Sequence, residues 1–485
     1  MTEPFPGGST PEEPWERLLR SVFGADAEEA IAQLRARGMD VDALNAAAGL
    51  TDDPRLMDQV LAQVRSLLST GSGPVNRDVA HDVARQAAVA GGDPHVGDAQ
   101  RRAALDAFGV ADLWLDTATE LAPAGGGRVV WSRSEWVERT LPAWSQLAAP
   151  VATNLVAALA RVLGERLPGD AQDLLPPGMA AVLPPGALAD PGALLERLGS
   201  AMFGMQIGQA AGTLSREVFG LTDIGVPLVA EPLGALLPAN VEDFARGLDA
   251  PLEEVRLYLA LRESAHARLF THVPWLRGHL HGLLDAYARG ITIDVDALDD
   301  AVRDVDPADP STLQAALAGG GFFGIGQTPE QRATLERLET TLALVEGWVD
   351  EVATTAALPH LPHAMALREM MRRRRAAGGP AEQTFATLVG LELRPRRSRE
   401  AAALWRLIAD QAGLAGREAV WDHPDLLPTA EDLDDPAGFA GRRASADAAL
   451  VDVDRAIEVF LAEAEGGGAS DDGDASDGTG PSPRA

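Results

Sequence analysis

The stretch that decides the fold runs from residue 250 to residue 275 and reads APLEEVRLYLALRESAHARLFTHVPW. Pro251 suits the first turn of a helix, and the two glutamates that follow it favour a helix N-terminus. Pro274 is expected to end or kink the helix. One stripe at helical spacing contains Val255, Leu259, Arg262, His266, Leu269 and Val273. We therefore predict a core helix with two ionisable side chains at positions where the pattern expects apolar ones.

Arg262 and His266, with Glu263 beside them, are the first candidates for chemistry. Burying them without partners would cost several kcal/mol, so we expect a metal, a carboxylate or a shared hydrogen-bond network around them. The spacing RExxH is one residue away from HExxH, in which two histidines one turn apart bind zinc and the glutamate activates the zinc-bound water. Arginine is a poor metal ligand because its guanidinium group stays protonated. Taken alone, such a short near-match is weak evidence for a zinc site.

A second predicted helix carries another carboxylate. Thr328 is expected to cap it, Pro329 occupies its first position and Gln331 completes a capping box. Glu346 lies just beside the apolar stripe of this helix. A glutamate on a downstream helix is the third zinc ligand in gluzincin-type peptidases, so Glu346 is a candidate ligand. The adjacent Gly347 would let another backbone approach closely.

Long strings in the chain resemble a known family. They read LYLALRESAHARLF at 257–270, VPWLR at 273–277, VEGWVD at 345–350, GGPAEQTF at 378–385 and HPDLLP at 423–428. Over about residues 74–440, the chain resembles the zincin-like hydrolases or zinc-dependent metalloproteases of actinobacteria, some of which are associated with coenzyme F420 biosynthesis. The resemblance implies a zincin-like fold, a zinc cofactor and hydrolysis of a peptide or amide bond.

The resemblance also implies roles for individual residues. Glu263 would be the general base, while His266 and Glu346 would bind zinc. Arg262 occupies the place of the missing ligand, so another group such as His272 or Asp350 would have to complete the site.

Two functions remain open on the sequence. In the first, the protein is a zinc-dependent metallohydrolase, most simply a peptidase. In the second, it is a pseudoenzyme whose cleft binds a peptide or a partner protein, and Arg262 forms a buried ion pair with Glu346. A peptide or protein is the expected partner in both.

Composition excludes several other kinds of chemistry. The 485 residues include no cysteine and, among 41 basic residues, no lysine, so thiolate nucleophiles, cysteine-bound metals and Schiff-base lysines are excluded. The net charge of −31 argues against generic nucleic-acid binding. The arginine run at 372–375 has two interpretations, an anion site or pairing with acidic helices, and we favour the second.

Scarce aromatic residues and abundant alanine and leucine predict a mainly α-helical fold. We expect at most a small β element, suggested by the alternation at residues 387–393. Four tryptophans, Trp114, Trp131, Trp136 and Trp144, are expected to anchor a core. The small residues of a helix over about 192–215 would permit close packing against a neighbouring helix.

The predicted organisation has four parts. They are a disordered arm (1–14), an N-terminal helical segment (15–73), a zincin-like helical domain (74–460) and a disordered acidic tail (461–485). No apolar run is long enough to cross a membrane and no leader pattern is visible, so we expect a cytoplasmic protein that binds no membrane. The sequence leaves its oligomeric state open.

Overall fold

The structure of the chain is a computed structural model, and it describes residues 73–166, 191–231, 233–291, 328–376 and 397–445, with isolated positions between 448 and 461. The chain divides into two compact units, residues 1–427 and 428–485. Nearly all of the predicted arm, N-terminal helical segment and acidic tail lies outside the described residues. The predicted domain boundaries therefore stay predictions.

Helices dominate the first unit, which confirms the predicted fold class. They are α1 (Arg77–Val89), α2 (Asp98–Leu115), α3 (Arg133–Arg166), α4 (Pro191–Leu214), α5 (Pro238–Ala245), α6 (Leu252–His272), α7 (Pro274–Arg289), α8 (Pro329–Ala357), α9 (Ala364–Ala376) and α10 (Ser398–Glu418). Short 3₁₀ turns follow at Ala419–Trp421 and Pro424–Leu426. The second unit contains α11 (Ala430–Asp434) and a 3₁₀ turn at Pro436–Gly438. In the described part of the chain, no helix is both long and apolar enough to span a membrane.

A two-stranded parallel sheet joins distant parts of the first unit. Strand β1 (Arg128–Val130) pairs with β2 (Gly234–Leu236), and Val129 lies opposite Ala235. Leu236 also forms an antiparallel bridge with Gly220, so the backbone that precedes β2 folds back beside it. The strand suggested at residues 387–393 lies outside the described residues, and the sequence did not predict β1 or β2.

The two helices that carry the candidate site begin and end where local chemistry dictates. Helix α6 begins after Pro251 and ends at His272, directly before the Val273–Pro274 pair. At the start of α8, Thr328 and Gln331 form the predicted capping box and Pro329 occupies the first turn. Burial of α6 extends around its whole circumference from Tyr258 to Leu269, which is wider than the single predicted stripe.

Close helix contacts depend on glycines. A Cβ atom at Gly208 of α4 would lie 2.5 Å from the carbonyl oxygen of Ala80 in α1, so the predicted close packing of this helix is confirmed. A Cβ atom at Gly347 of α8 would lie 2.6 Å from that of Ala401 in α10. Only glycine permits these two pairs of backbones to approach so closely.

Three of the four expected core tryptophans are buried: Trp131, Trp136 and Trp144. Trp114 is an exception. It is half-buried on α2 and stacks on the ring of His360, with 4.3 Å between the ring centroids. The prediction that Trp114 anchors the core was therefore wrong, because the ring lies at the edge of the unit.

Candidate functional site

Two buried helix faces form the candidate site. The face of α6 presents Tyr258, Arg262 and His266, and the face of α8 presents Thr354, Asp350 and Glu346. The hydroxyl groups of Tyr258 and Thr354 lie 3.3 Å apart, whereas Arg262 pairs with Glu346 further along. Since residues four apart share one helix face, this pairing order places α6 and α8 antiparallel at the site.

Glu346 is the centre of the site. Its carboxylate accepts a 2.8 Å hydrogen bond at Oε2 from Arg262 and a 2.8 Å ion-pair contact at Oε1 from Arg375 of α9. Burial alone would raise the pKa of Glu346, but Arg375 and Arg262, with His266, outweigh it and hold that pKa well below its usual value. Glu346 is therefore a buried anion that two guanidinium groups neutralise.

Arg375 was not among the predicted site residues. Its side chain reaches Glu346 from the end of α9, a helix that begins seven residues after α8 ends. The signal available in the sequence was the arginine run at 372–375, which stands out in an acidic chain, but a run of four identical residues does not indicate which one reaches the site.

His266 is held in one orientation. Its Nδ1 lies 2.9 Å from the carbonyl oxygen of Arg262, one turn earlier on α6. Since a carbonyl oxygen only accepts hydrogen bonds, Nδ1 donates to it. Nε2 lies 3.2 Å from Glu346 Oε1, a contact that is a hydrogen bond only when Nε2 also carries a hydrogen. The structure thus brings Arg262, His266 and Glu346 together, as the sequence suggested.

Glu263 faces a different partner, the backbone that leads into β2. Its carboxylate accepts hydrogen bonds from the backbone N–H of Leu221 and Thr222 (3.1 Å each), from the Thr222 hydroxyl (2.6 Å) and from the N–H of Ala235 (3.4 Å). A Cβ atom at Gly220 would lie 2.5 Å from the carboxyl carbon of Glu263. Two carboxylate oxygens offer about four acceptor sites, so these donors occupy all of them.

The contacts of Glu263 bear on its predicted role as a general base. Burial raises its pKa, while His266 and the hydrogen bonds from Thr222 and Leu221 lower it in part. A general base needs an oxygen within reach of the proton that it removes. In this arrangement Glu263 instead fixes residues 220–222 and β2 against α6, and its role as a base stays a prediction.

The two possible accessory ligands have partners elsewhere. Asp350 is one turn from Glu346, but it accepts hydrogen bonds from Arg368 Nε (2.8 Å) and Arg372 Nη2 (2.6 Å) of α9. His272 lies at the exposed end of α6, where its Nε2 is 3.0 Å from the carbonyl oxygen of Ala122. Neither completes a ligand set around His266 and Glu346.

The arginine run of α9 pairs with carboxylates. Arg372 contacts Asp350, Arg373 contacts Glu369, and Arg375 contacts Glu346. Arg374 donates to the carbonyl oxygen of Glu217 and lies over the ring of Phe219, 4.3 Å from its centroid. The interpretation of this run as partner to acidic helices is therefore the one that the contacts support.

A zinc ion does not fit this arrangement. Within the described residues, no group of three or more histidine, aspartate or glutamate side chains is placed to hold a metal ion. His266 and Glu346 are only two ligands, and both oxygens of Glu346 already contact guanidinium groups. The carboxylate of Glu346 is thus engaged by two guanidinium groups.

Comparison with known proteins agrees with the fold. The sequence profile of the zincin-like metallopeptidase family matches residues 75–440. The crystal structure of a "putative hydrolase with a novel fold" from Chloroflexus aurantiacus is similar, with a TM-score of 0.52 and 19% sequence identity over 76% of this chain and 99% of that chain. No curated protein matches the chain. Because the family profile covers well over half of the sequence, including α6 and α8, the chain belongs to the zincin-like metallopeptidase family.

Proposed function

We propose that this protein is a zincin-fold peptide- or protein-binding module that works without a catalytic metal. The observation that supports the proposal is the ion pair between Arg262 and Glu346. The sequence resemblance would assign a ligand position to each of these two residues, and the ion pair joins them to each other instead. The fold would then persist while the metal-dependent chemistry is lost.

Charge supports this proposal. Glu346 contributes one negative charge, whereas Arg262 and Arg375 contribute two positive charges within hydrogen-bond distance of its oxygens. Such a cluster repels a divalent cation, and the repulsion is strong because the site is buried. The same cluster ties α6, α8 and α9 together, a task that a structural metal performs in other proteins.

The proposed partner is a peptide or protein, because the scaffold belongs to a family of peptidases. A nucleic acid is a poorer match, since the chain has a net charge of −31 and the arginines of α9 are engaged by carboxylates.

One observation favours a second function, a zinc-dependent peptidase. The carbonyl oxygen of Arg262 fixes Nδ1 of His266 and turns Nε2 towards Glu346, which is how metal-binding histidines are commonly oriented. For this function, the two guanidinium groups would have to leave Glu346.

The zinc content of the purified full-length protein separates the two functions. We expect less than about 0.1 zinc per chain and a melting temperature that a chelator leaves unchanged, whereas stoichiometric zinc would overturn the proposal. The double substitution Arg262→His and Arg375→Gln should create zinc affinity, seen as a melting temperature that rises on adding zinc. Arg256→His, at an α6 position where the described residues provide no ion pair, is the control and should not respond. A folded double variant that ignores zinc would show that α6 and α8 lack zincin geometry.

A further inference from the structure

A cavity of about 390 Å³ lies away from the buried charge cluster. β1, α3, α7 and the segment that leads into β2 surround it. Its apolar walls include Val129, Trp131, Pro142, Leu228 and Leu233. Three charged side chains line the same cavity: Arg139 from α3, Arg277 from α7 and Glu231 from the segment before β2. A volume of this size suits a small ligand or the end of a peptide.

The two arginines of this cavity differ from the arginines of α9. Within the described residues, neither Arg139 nor Arg277 makes a hydrogen bond or an ion pair. Arg277 is half-buried, and its Nε atom is fully buried without an acceptor. Because this Nε atom is shielded, only the remaining nitrogens of the Arg277 guanidinium group can contact a ligand in the cavity.

The geometry points to a binding site for the carboxyl end of a short peptide whose last residue is apolar. Arg139 and Arg277 supply guanidinium groups for the terminal carboxylate, and the apolar walls receive the side chain of the last residue. Glu231 is exposed on the same cavity and offers an acceptor for a peptide N–H. This inference rests on the proposed peptide-binding function and assigns it a place and a ligand class.

The cavity wall is built from the same segment that Glu263 holds. Glu263 accepts from Leu221 and Thr222, and six residues after Thr222 the chain reaches Leu228 in the cavity. Between them, the carbonyl oxygen of Pro227 accepts a hydrogen bond from Nε2 of His281, 3.1 Å away and one turn after Arg277 on α7. The segment therefore has fixed anchors on α6 and α7, so the cavity is preformed.

Calorimetric titration of the full-length protein with N-acetyl-alanyl-leucine tests this site. The free acid should bind at least about tenfold more tightly than the matching C-terminal amide, because only the acid has a carboxylate for the arginines. Arg139→Gln and Arg277→Gln should each weaken binding of the acid by about tenfold or more. Arg256→Gln is the matched control and should leave binding unchanged, and melting temperatures verify that every variant is folded.

Several results would overturn the inference. They are equal binding of acid and amide, undiminished binding to the double variant Arg139→Gln/Arg277→Gln, and no binding of the acid at millimolar concentration. Octanoate binding as tightly as the peptide would reassign the cavity to carboxylic acids in general. The peptide titration and the zinc measurement can fail separately. If the protein contains no zinc but does not bind the peptide, only the proposed cavity site is overturned. If it contains stoichiometric zinc and still binds the peptide, only the metal-free function is overturned.

Discussion

At the scale of one residue, Glu346 shows how a buried carboxylate can stay ionised. A carboxylate that is 2% exposed needs positive charge around it, and Arg262 and Arg375 provide it. Removing one partner of such a pair lowers the free energy of unfolding by far more than the pair itself contributes, because the remaining charge is left buried without a partner. Replacing Arg262 or Glu346 alone should therefore destabilise the fold more than replacing both together.

The pH dependence of stability should reveal the Glu346 carboxylate. Its pKa is held below the value of about 4.3 that it has in the unfolded chain. The ion pairs therefore stabilise fully above pH 4.3, and their contribution is lost as the pH falls through the lower, folded-state value. We expect Glu346→Gln to reduce the free energy of unfolding by about 3 kcal/mol at pH 7 and by progressively less below pH 4.3.

Urea denaturation of wild type and variant between pH 7 and pH 3.5 measures this difference. Glu336→Gln, an exposed position on the same helix α8, is the control and should show almost no difference at any pH. Comparison with the variant is needed because Glu263, whose pKa is raised, contributes with the opposite sign: its ionised form weakens the fold as the pH rises above 4.3. If the difference in unfolding free energy between wild type and Glu346→Gln stayed constant from pH 7 to pH 3.5, Glu346 would not be ionised in the folded protein.

At the scale of elements, the approach of α4 to α1 depends on glycine. Gly208→Ala would place a Cβ atom 2.5 Å from the carbonyl oxygen of Ala80, and a backbone oxygen cannot move aside cheaply. We expect a loss of roughly 2 kcal/mol in the free energy of unfolding, despite a gain of up to about 1 kcal/mol in helix propensity. Gly282→Ala on α7 has no atom within 4 Å of the new Cβ and should stabilise by about 0.5–1 kcal/mol. If Gly208→Ala and Gly282→Ala changed the free energy of unfolding equally in urea denaturation, α1 and α4 would be further apart than the 2.5 Å approach at Gly208 implies.

The elements that sequence patterns predicted are those with local causes. The start of α8 was predictable because Thr328 and Gln331 lie three residues apart and cap each other, and the end of α6 because Pro274 follows directly. Strands β1 and β2 have three residues each, and their pairing across more than a hundred positions leaves no periodic signal in either stretch.

Part of the candidate site was also predictable, because some of its residues belong to a local sequence pattern. RExxH and a downstream glutamate drew attention to Arg262, His266 and Glu346, which do lie together. The partners of Glu263 are mostly backbone N–H groups, which every residue possesses, so no residue pattern could have indicated them. Arg375 comes from a third helix, and its contact depends on the packing of α9 against α8.

At the scale of the whole molecule, buried and exposed charges behave differently. The chain carries 72 acidic and 41 basic residues, so its surface repels itself at low ionic strength. The buried pairs of Glu346 and Asp350 are largely insulated from salt, because screening acts on charges that face water. Salt should therefore relieve the repulsion without removing these pairs.

We accordingly expect the melting temperature to rise by about 2 °C or more between 10 and 300 mM sodium chloride. The rise should level off as the Debye length falls towards about 6 Å, since little repulsion between exposed carboxylates then remains to be screened. Thermal denaturation followed by circular dichroism measures it, and potassium chloride at equal ionic strength is the control because screening depends on charge and not on the ion. A fall in melting temperature would mean that exposed ion pairs such as Arg399 with Glu369 contribute more to stability than the acidic excess subtracts from it.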